Sequence, residues 1–183
     1  YNNLVANSQF QDKIRYITIK ENEIYNIPGG RVHALGAGAM VAEIQETSDV
    51  TYRLYDYDRI DANGNKRELH TELAFEAIDF DDTEANAIDY KIAEGNQRVI
   101  STPCFTVDVI DIHAPHTIDY SDRDSFTIIM ALEGEALIES LSDDEPCLSS
   151  MQLKAGHTLL LPASCRGIRL TPSGRFKAID TFV

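Results

Sequence analysis

Short runs of β-branched and aromatic residues, cut at brief intervals by turn-forming ones, dominate this chain and restrict it to folds built from many short strands. Ile14-Arg15-Tyr16-Ile17-Thr18-Ile19 is one such run, followed by a polar turn over Lys20 to Glu23 and a second run, Ile24 to Ile27. Ala39 to Gln45 and Val50 to Tyr57 also read as strands, as do Cys104 to Ile112, Phe126 to Leu132, Ala136 to Ser140, His157 to Leu161, Gly167 to Leu170 and Phe176 to Phe182. Phe105, Val107 and Val109 alternate with Thr106 and Asp108, which predicts a strand with one wet face. Thr158 to Leu161 is more uniformly apolar and predicts a strand buried on both sides. One segment differs. From Arg67 to Phe80, Leu69, Leu73, Ala74, Ala77 and Phe80 recur at helical spacing, with Glu68, Glu72 and Glu76 opposite. The Asp61-Ala62-Asn63-Gly64-Asn65 turn precedes it, and an acidic, turn-rich stretch from Asp81 to Gly95 follows. Many strands with one helix among them imply a mainly β sandwich or barrel rather than a parallel α/β sheet.

The halves show a shared punctuation. Asn22 precedes Ile27-Pro28 and Gly156 precedes Pro162 at the same spacing, each opening a turn before an apolar strand that ends in Pro. Two units of one β fold in tandem are expected.

Composition narrows the partners. The formal charge of -14 repels phosphate backbones, so no nucleic acid is expected to bind. A small anion would need a local cluster of Arg or Lys. No apolar run approaches the roughly 20 residues of a membrane span, so no membrane partner is expected either. Cys104, Cys147 and Cys165 are odd in number and widely spaced, which argues against a disulfide framework and for a reducing compartment. No charged-then-apolar leader is visible, so the expected location is cytoplasmic.

Pro28-Gly29-Gly30-Arg31-Val32-His33 fits P-x-G-x-x-H. Pro ends a strand, Gly permits the turn, and the next strand carries His33 toward a barrel mouth, where a neutral imidazole is a good metal ligand. The alternative is a buried His bonded to backbone. His113 and His116 form H-x-x-H in a Pro-containing loop with no acidic partner at ligand spacing, so solvent exposure is the expected state. In the Ala42 to Arg59 segment, Glu43 and Gln45 share one strand face, and Thr51, Arg53, Tyr55 and Tyr57 share another. Arg53 has the donor fork to clamp a phosphate or steady an oxyanion; the competing reading is a structural ion pair with one of thirty acidic residues.

From Ile27 to Ala74 the chain reads IPGGRVHALGAGAMVAEIQETSDVTYRLYDYDR, then DANGN, then RELHTELA. This long, ordered run closely resembles the short bacterial form of type I mannose-6-phosphate isomerase, in its C-terminal part. That resemblance implies a tandem cupin-type β-barrel or sandwich with the first barrel incomplete. Residues 1–85 would be the second part of the catalytic cupin plus the helix, and residues 86–183 a C-terminal cupin-like structural domain without metal. It implies one zinc ion in the complete enzyme and a sugar phosphate substrate, with mannose 6-phosphate and fructose 6-phosphate interconverted through a zinc-assisted enediol. His33 would be the last of the zinc ligands, Arg53 the catalytic and substrate-binding arginine, and Glu43 a carboxylate facing the site. Arg59 and His70 would support the surrounding structure. The family's earlier ligands, a Q-x-H motif and a Glu, lie upstream of the strand before His33, and nothing from Tyr1 to Asn26 supplies them. In the second half Ser164 stands where the turn Gly would be and Gly167 where the His would be. A chain so composed is expected to be inactive alone, to bind zinc weakly, and to self-associate through unpaired strand edges. The competing expectation is a non-catalytic cupin module that binds a sugar phosphate.

Overall fold

The computed structural model describes residues 11–48, 50–82, 84, 87–141 and 147–183, and the chain divides into two compact units, Tyr1–Ile88 and Asp89–Val183.

The second unit is two antiparallel sheets around one core. Its described residues form nine strands, β1 (Gly95–Ser101), β2 (Thr106–Ile112), β3 (His116–Asp119), β4 (Thr127–Glu133), β5 (Glu135–Ser140), β6 (Ser150–Lys154), β7 (Thr158–Leu161), β8 (Gly167–Pro172) and β9 (Phe176–Phe182). One sheet runs β1-β2-β9-β4-β7 and the other β3-β8-β5-β6. Period-2 alternation chooses what each strand buries. Ile110, Ile112, Ile129, Ala131, Phe176 and Ala178 enter the core from the first sheet, and Ile118, Ala136, Ile138, Leu153, Ile168 and Leu170 from the second. Each fully buried Ile or Leu contributes roughly 1.5–3 kcal/mol.

Two readings of the strand pattern need correction. β7 was expected to be buried on both sides, yet Leu159 and Leu161 are buried while Thr158 and Leu160 are exposed. It is an edge strand, and an all-apolar run carries no mark of which face meets solvent. β2 was expected to have one wet face, yet Val107 through Ile112 are all buried. It lies between β1 and β9, and its acidic residues are covered by arginines: Arg98 Nε lies 3.0 Å from Asp108 Oδ1, and Arg175 grips both oxygens of Asp111 at 3.0 and 2.8 Å. The core residues of β2 are Ile110 and Ile112, so Val107 and Val109 point away from that core. Strands β1, β3 and β6 escaped the sequence reading because Gly, Gln, His and Ser are poor strand markers; pairing with apolar neighbours holds them in place.

The expectation that the cysteines form no disulfide is also overturned. Cys147 and Cys165 form a disulfide with Cα atoms 5.0 Å apart, and Cys104 is exposed outside it. Eighteen residues of sequence separate the pair, and the β5–β6 and β7–β8 connections bring them together.

In the first unit the expected strands Ile14–Ile19, Ile24–Ile27, Ala39–Gln45 and Val50–Tyr57 do not form: its described residues contain one isolated bridge, Ile60 with Lys66, and no ladder. A β-rich run becomes a strand only when a neighbouring backbone takes up its N–H and C=O groups. Tyr16, Ile19, Leu35, Met40 and Val50 are accordingly exposed, and among the described residues Leu54 and Ala74 are the buried apolar ones. A short 3-10 turn spans Gln11–Lys13. Helix α1 covers Thr71–Ala77, shorter than the periodicity from Arg67 to Phe80 suggests. Tertiary hydrogen bonds trim both ends. The His70 N–H donates to Arg53 O at 2.8 Å, and the Asp79 N–H donates to Gly30 O at 3.0 Å. Gly30 has φ +88°, and a Cβ there would press on Ala77 O at 2.9 Å, so this position requires glycine. The turn after Ile60 forms as expected: Asp61 Oδ1 accepts the Asn63 and Asn65 N–H groups, each at 2.8 Å.

Candidate functional site

The residues singled out from sequence sit in three different settings. His33 is exposed, with Nδ1 3.0 Å from Arg31 O. A carbonyl only accepts, so in the neutral ring Nδ1 carries the proton and Nε2 keeps its lone pair, the arrangement a metal-binding imidazole uses. Glu43 is exposed and makes no hydrogen bond or ion pair among the described residues. No hydrogen bond or ion pair joins His33, Glu43 and Arg53 to one another, and no group of three His, Cys, Asp or Glu able to hold a metal exists among the described residues. These residues by themselves do not assemble a zinc site.

Arg53 is the best-held of the three. Its backbone N–H donates to His70 Nδ1 at 3.2 Å, its Nη1 to Glu68 O at 3.1 Å, and its Nε lies 3.9 Å from Asp56 Oδ1. His70 thus supports the surrounding structure by holding both the N–H and the C=O of Arg53. The anchor that the sequence reading missed is Asp56. Strand periodicity puts it on the face opposite Arg53, but Tyr57 and Asp58 adopt φ of 54° and 52° and curl the chain back. Arg59 then donates its backbone N–H to Asp56 O at 3.0 Å and its Nη2 to Asp56 Oδ1 at 2.7 Å, while Arg67 Nη1 reaches the same oxygen at 3.4 Å. Asp56 Oδ2 is buried with no hydrogen-bond partner. Two Arg and two Asp within Tyr52 to Arg59 were a signal for this cluster, but only the curl reveals their convergence.

The second unit holds its own polar cluster at one end of the core. Arg123 donates to Asp180 Oδ1 at 2.9 Å and Oδ2 at 3.1 Å and lies 3.5 Å from Asp108 Oδ2. Its guanidinium stacks 3.6 Å from the Phe182 ring centre and 4.1 Å from that of Tyr120. Burial pushes the Asp180 carboxyl and the Tyr120 hydroxyl above their ordinary values. Every polar atom in this cluster is matched, which makes it a closure of the core. At the opposite rim, His113 has the acidic partner that its sequence neighbourhood lacked: Glu94 lies 2.8 Å from its Nδ1 and also accepts its backbone N–H.

No family model matches the chain. It is 34% identical over 164 residues to YvyI of Bacillus subtilis, provisionally named a mannose-6-phosphate isomerase, a match covering 87% of this chain and 49% of that protein. The mannose-6-phosphate isomerase ManA of the same organism is 29% identical over 160 residues, with the same two shares. The mannose-6-phosphate isomerase of Streptococcus mutans is 29% identical over 162 residues, covering 87% of this chain and 48% of that protein. The crystal structure of the Bacillus subtilis mannose 6-phosphate isomerase superposes with a TM-score of 0.58 at 28% identity, covering 74% of this chain and 41% of the other. The protein is therefore of the mainly β, antiparallel cupin class. More particularly, it is a homologue of the mannose-6-phosphate isomerases, and it spans about half the length of the curated relatives it matches. Among the described residues, no helix is long and apolar enough to cross a membrane.

Proposed function

We propose that this chain carries part of an aldose–ketose isomerase site acting on mannose 6-phosphate and fructose 6-phosphate. The observation that carries this reading is the anchoring of Arg53. Its backbone is tied to His70 at both ends and its guanidinium lies between Asp56 and Glu68 O, inside the segment that most resembles the isomerases. Isomerisation removes a proton from C2 of the aldose and returns it to C1 through an enediol, so it needs a proton carrier and a cation for the developing oxyanion. In this reading Arg53 supplies the cation, either for the enediolate or for the substrate's anionic group, and Glu43 the carboxylate. Zinc would polarise the substrate oxygens, with His33 as one ligand through Nε2. The other ligands come from residues this chain does not supply, so residues 1–85 act as the second part of a catalytic cupin. Residues 86–183 act as a structural cupin-like domain.

The test is zinc analysis and a coupled mannose 6-phosphate isomerisation assay on the 183-residue chain. Little bound zinc and no measurable turnover are expected, with turnover appearing when a segment bearing the Q-x-H and Glu ligands is added. Stoichiometric zinc with turnover in the chain alone would overturn the incomplete-site reading. A second reading, a non-catalytic module that binds a sugar phosphate, draws support from the lack of a three-ligand cluster among the described residues. It predicts binding that no added segment converts to turnover.

The exposed apolar residues of the first unit support self-association, and a monodisperse monomer in solution scattering would count against it. A cytoplasmic location follows from the substrate class, since a phosphorylated sugar does not cross a bilayer unaided. The Cys147–Cys165 disulfide points the other way. Thiol trapping in intact cells separates the two.

A further inference from the structure

We propose that Arg53, Arg59 and Arg67, gathered by Asp56, form a clamp for a phosphomonoester dianion. The inference rests on the reading of Arg53 as a substrate-facing arginine, and it adds two arginines for which that reading has no use.

Charge balance is the first argument. The chain carries 16 basic residues against 30 acidic ones, yet three guanidiniums converge on the single carboxylate of Asp56. The neighbouring acid Asp58 does not offset them, because Lys66 Nζ takes its Oδ1 at 2.7 Å. Glu68 approaches His70 Nε2 at 3.9 Å, and its side chain is 84% exposed. The cluster thus has a local surplus of positive charge in a molecule whose mean field repels anions.

Coordination is the second argument. Three arginines elsewhere, Arg175 on Asp111, Arg123 on Asp180 and Arg31 on Asp82, spend both tines of the fork on one carboxylate. Around Asp56 all three direct one nitrogen to the same Oδ1, at 2.7, 3.4 and 3.9 Å, while Arg59 Nε also donates to Asp56 O at 3.3 Å and Arg53 Nη1 to Glu68 O at 3.1 Å. Each guanidinium has five N–H donors, so most of this donor capacity is uncommitted among the described residues. The side chains of Arg59 and Arg67 are 62% and 53% exposed, within reach of a ligand, whereas Asp56 is 7% exposed beneath them. A phosphate monoester has the charge and the oxygen count to take these donors. Asp56 is then a positioning residue, holding the arginines at one point against their mutual repulsion.

The experiment follows the arginine Nε–Hε signals of the 183-residue chain by nitrogen-15 NMR during titration with inorganic phosphate, mannose 6-phosphate or mannose. Saturable movement of Arg53, Arg59 and Arg67 with both phosphates, and none with mannose, is expected. Movement with mannose 6-phosphate alone also supports the clamp and assigns it to the sugar ester. Because Arg59 and Arg67 are half-exposed, the Arg59→Gln/Arg67→Gln variant should fold, as circular dichroism can verify, and should weaken phosphate binding about tenfold. Movement of Arg53 alone overturns the clamp while leaving its substrate-facing role intact. Movement of Arg59 and Arg67 without Arg53 overturns the three-arginine clamp, and silence from all three removes both readings. Equal movement of Arg98 and Arg166, exposed arginines of the second unit, or an equal response to mannose, also overturns it.

Discussion

Arg123 shows how much one side chain can decide in this protein. It compensates two buried carboxylates that face each other across the β2–β9 pairing, Asp108 and Asp180, and its plane is packed between Phe182 and Tyr120. Arg123→Met keeps much of the volume and removes the charge, so it should cost roughly 3–5 kcal/mol in urea unfolding. A cost under about 1 kcal/mol would mean that Asp180 protonates without penalty. Asp111 offers a pH test of opposite sign. Its hydrogen bonds to Arg175 hold its carboxyl below the ordinary value, so its stabilising contribution is present above about pH 4 and is lost as pH falls through the lowered value. The stability gap between the natural chain and Arg175→Gln should therefore be widest near pH 6 and shrink toward pH 2.5. Asp180 works the other way. Burial raises its carboxyl, so its contribution is complete in acid and fades as pH rises through the raised value.

At the scale of elements, turns fix where strands begin and stop. Gly134 links β4 to β5 with φ +70°, and a Cβ there would collide with Arg175 O; Gly156, between β6 and β7, has φ +82° with open space where a Cβ would stand. The two positions separate backbone strain from steric collision. Gly156→Ala should cost about 1 kcal/mol, the left-handed penalty alone. Gly134→Ala should cost roughly 3 kcal/mol or more, because Arg175 must move and with it the ion pair to Asp111. Thermal unfolding of both variants checks the ordering, and equal costs would show that Arg175 yields freely. Helix α1 teaches the same lesson from the other direction. Its apolar spacing extends from Arg67 to Phe80, but the His70 and Asp79 N–H groups donate to the Arg53 and Gly30 carbonyls and leave Thr71–Ala77.

At the scale of the whole molecule, the two units differ in what holds them. The second has a closed core spanning both sheets; the first buries Leu54 and Ala74 and exposes most of its large apolar side chains. Within the second unit the Cys147–Cys165 disulfide ties the β5–β6 connection to the β7–β8 connection. Alkylation of the denatured, unreduced protein should count one thiol, Cys104, and three after reduction. Three thiols before reduction would show that the pair is a dithiol in the protein as prepared. Such a link across about 18 residues is worth roughly 3 kcal/mol.

The sequence by itself determined the β class, six of the nine strands of the second unit, and the Ile27–Ala74 segment on which the family resemblance rests. Those properties are local: period-2 alternation, turn chemistry and an ordered motif survive in one dimension. It also singled out His33, Glu43 and Arg53 as residue types suited to a site. Tertiary structure alone decided which runs became strands, because pairing needs a second backbone and none is offered to Ile14–Ile19 or Ala39–Gln45 among the described residues. It alone joined Cys147 to Cys165, buried Asp108 beneath arginines, and curled Tyr57 and Asp58 so that Arg53, Arg59 and Arg67 meet on Asp56. Each of those outcomes depends on distances between residues far apart in sequence or on a backbone conformation that no periodicity encodes.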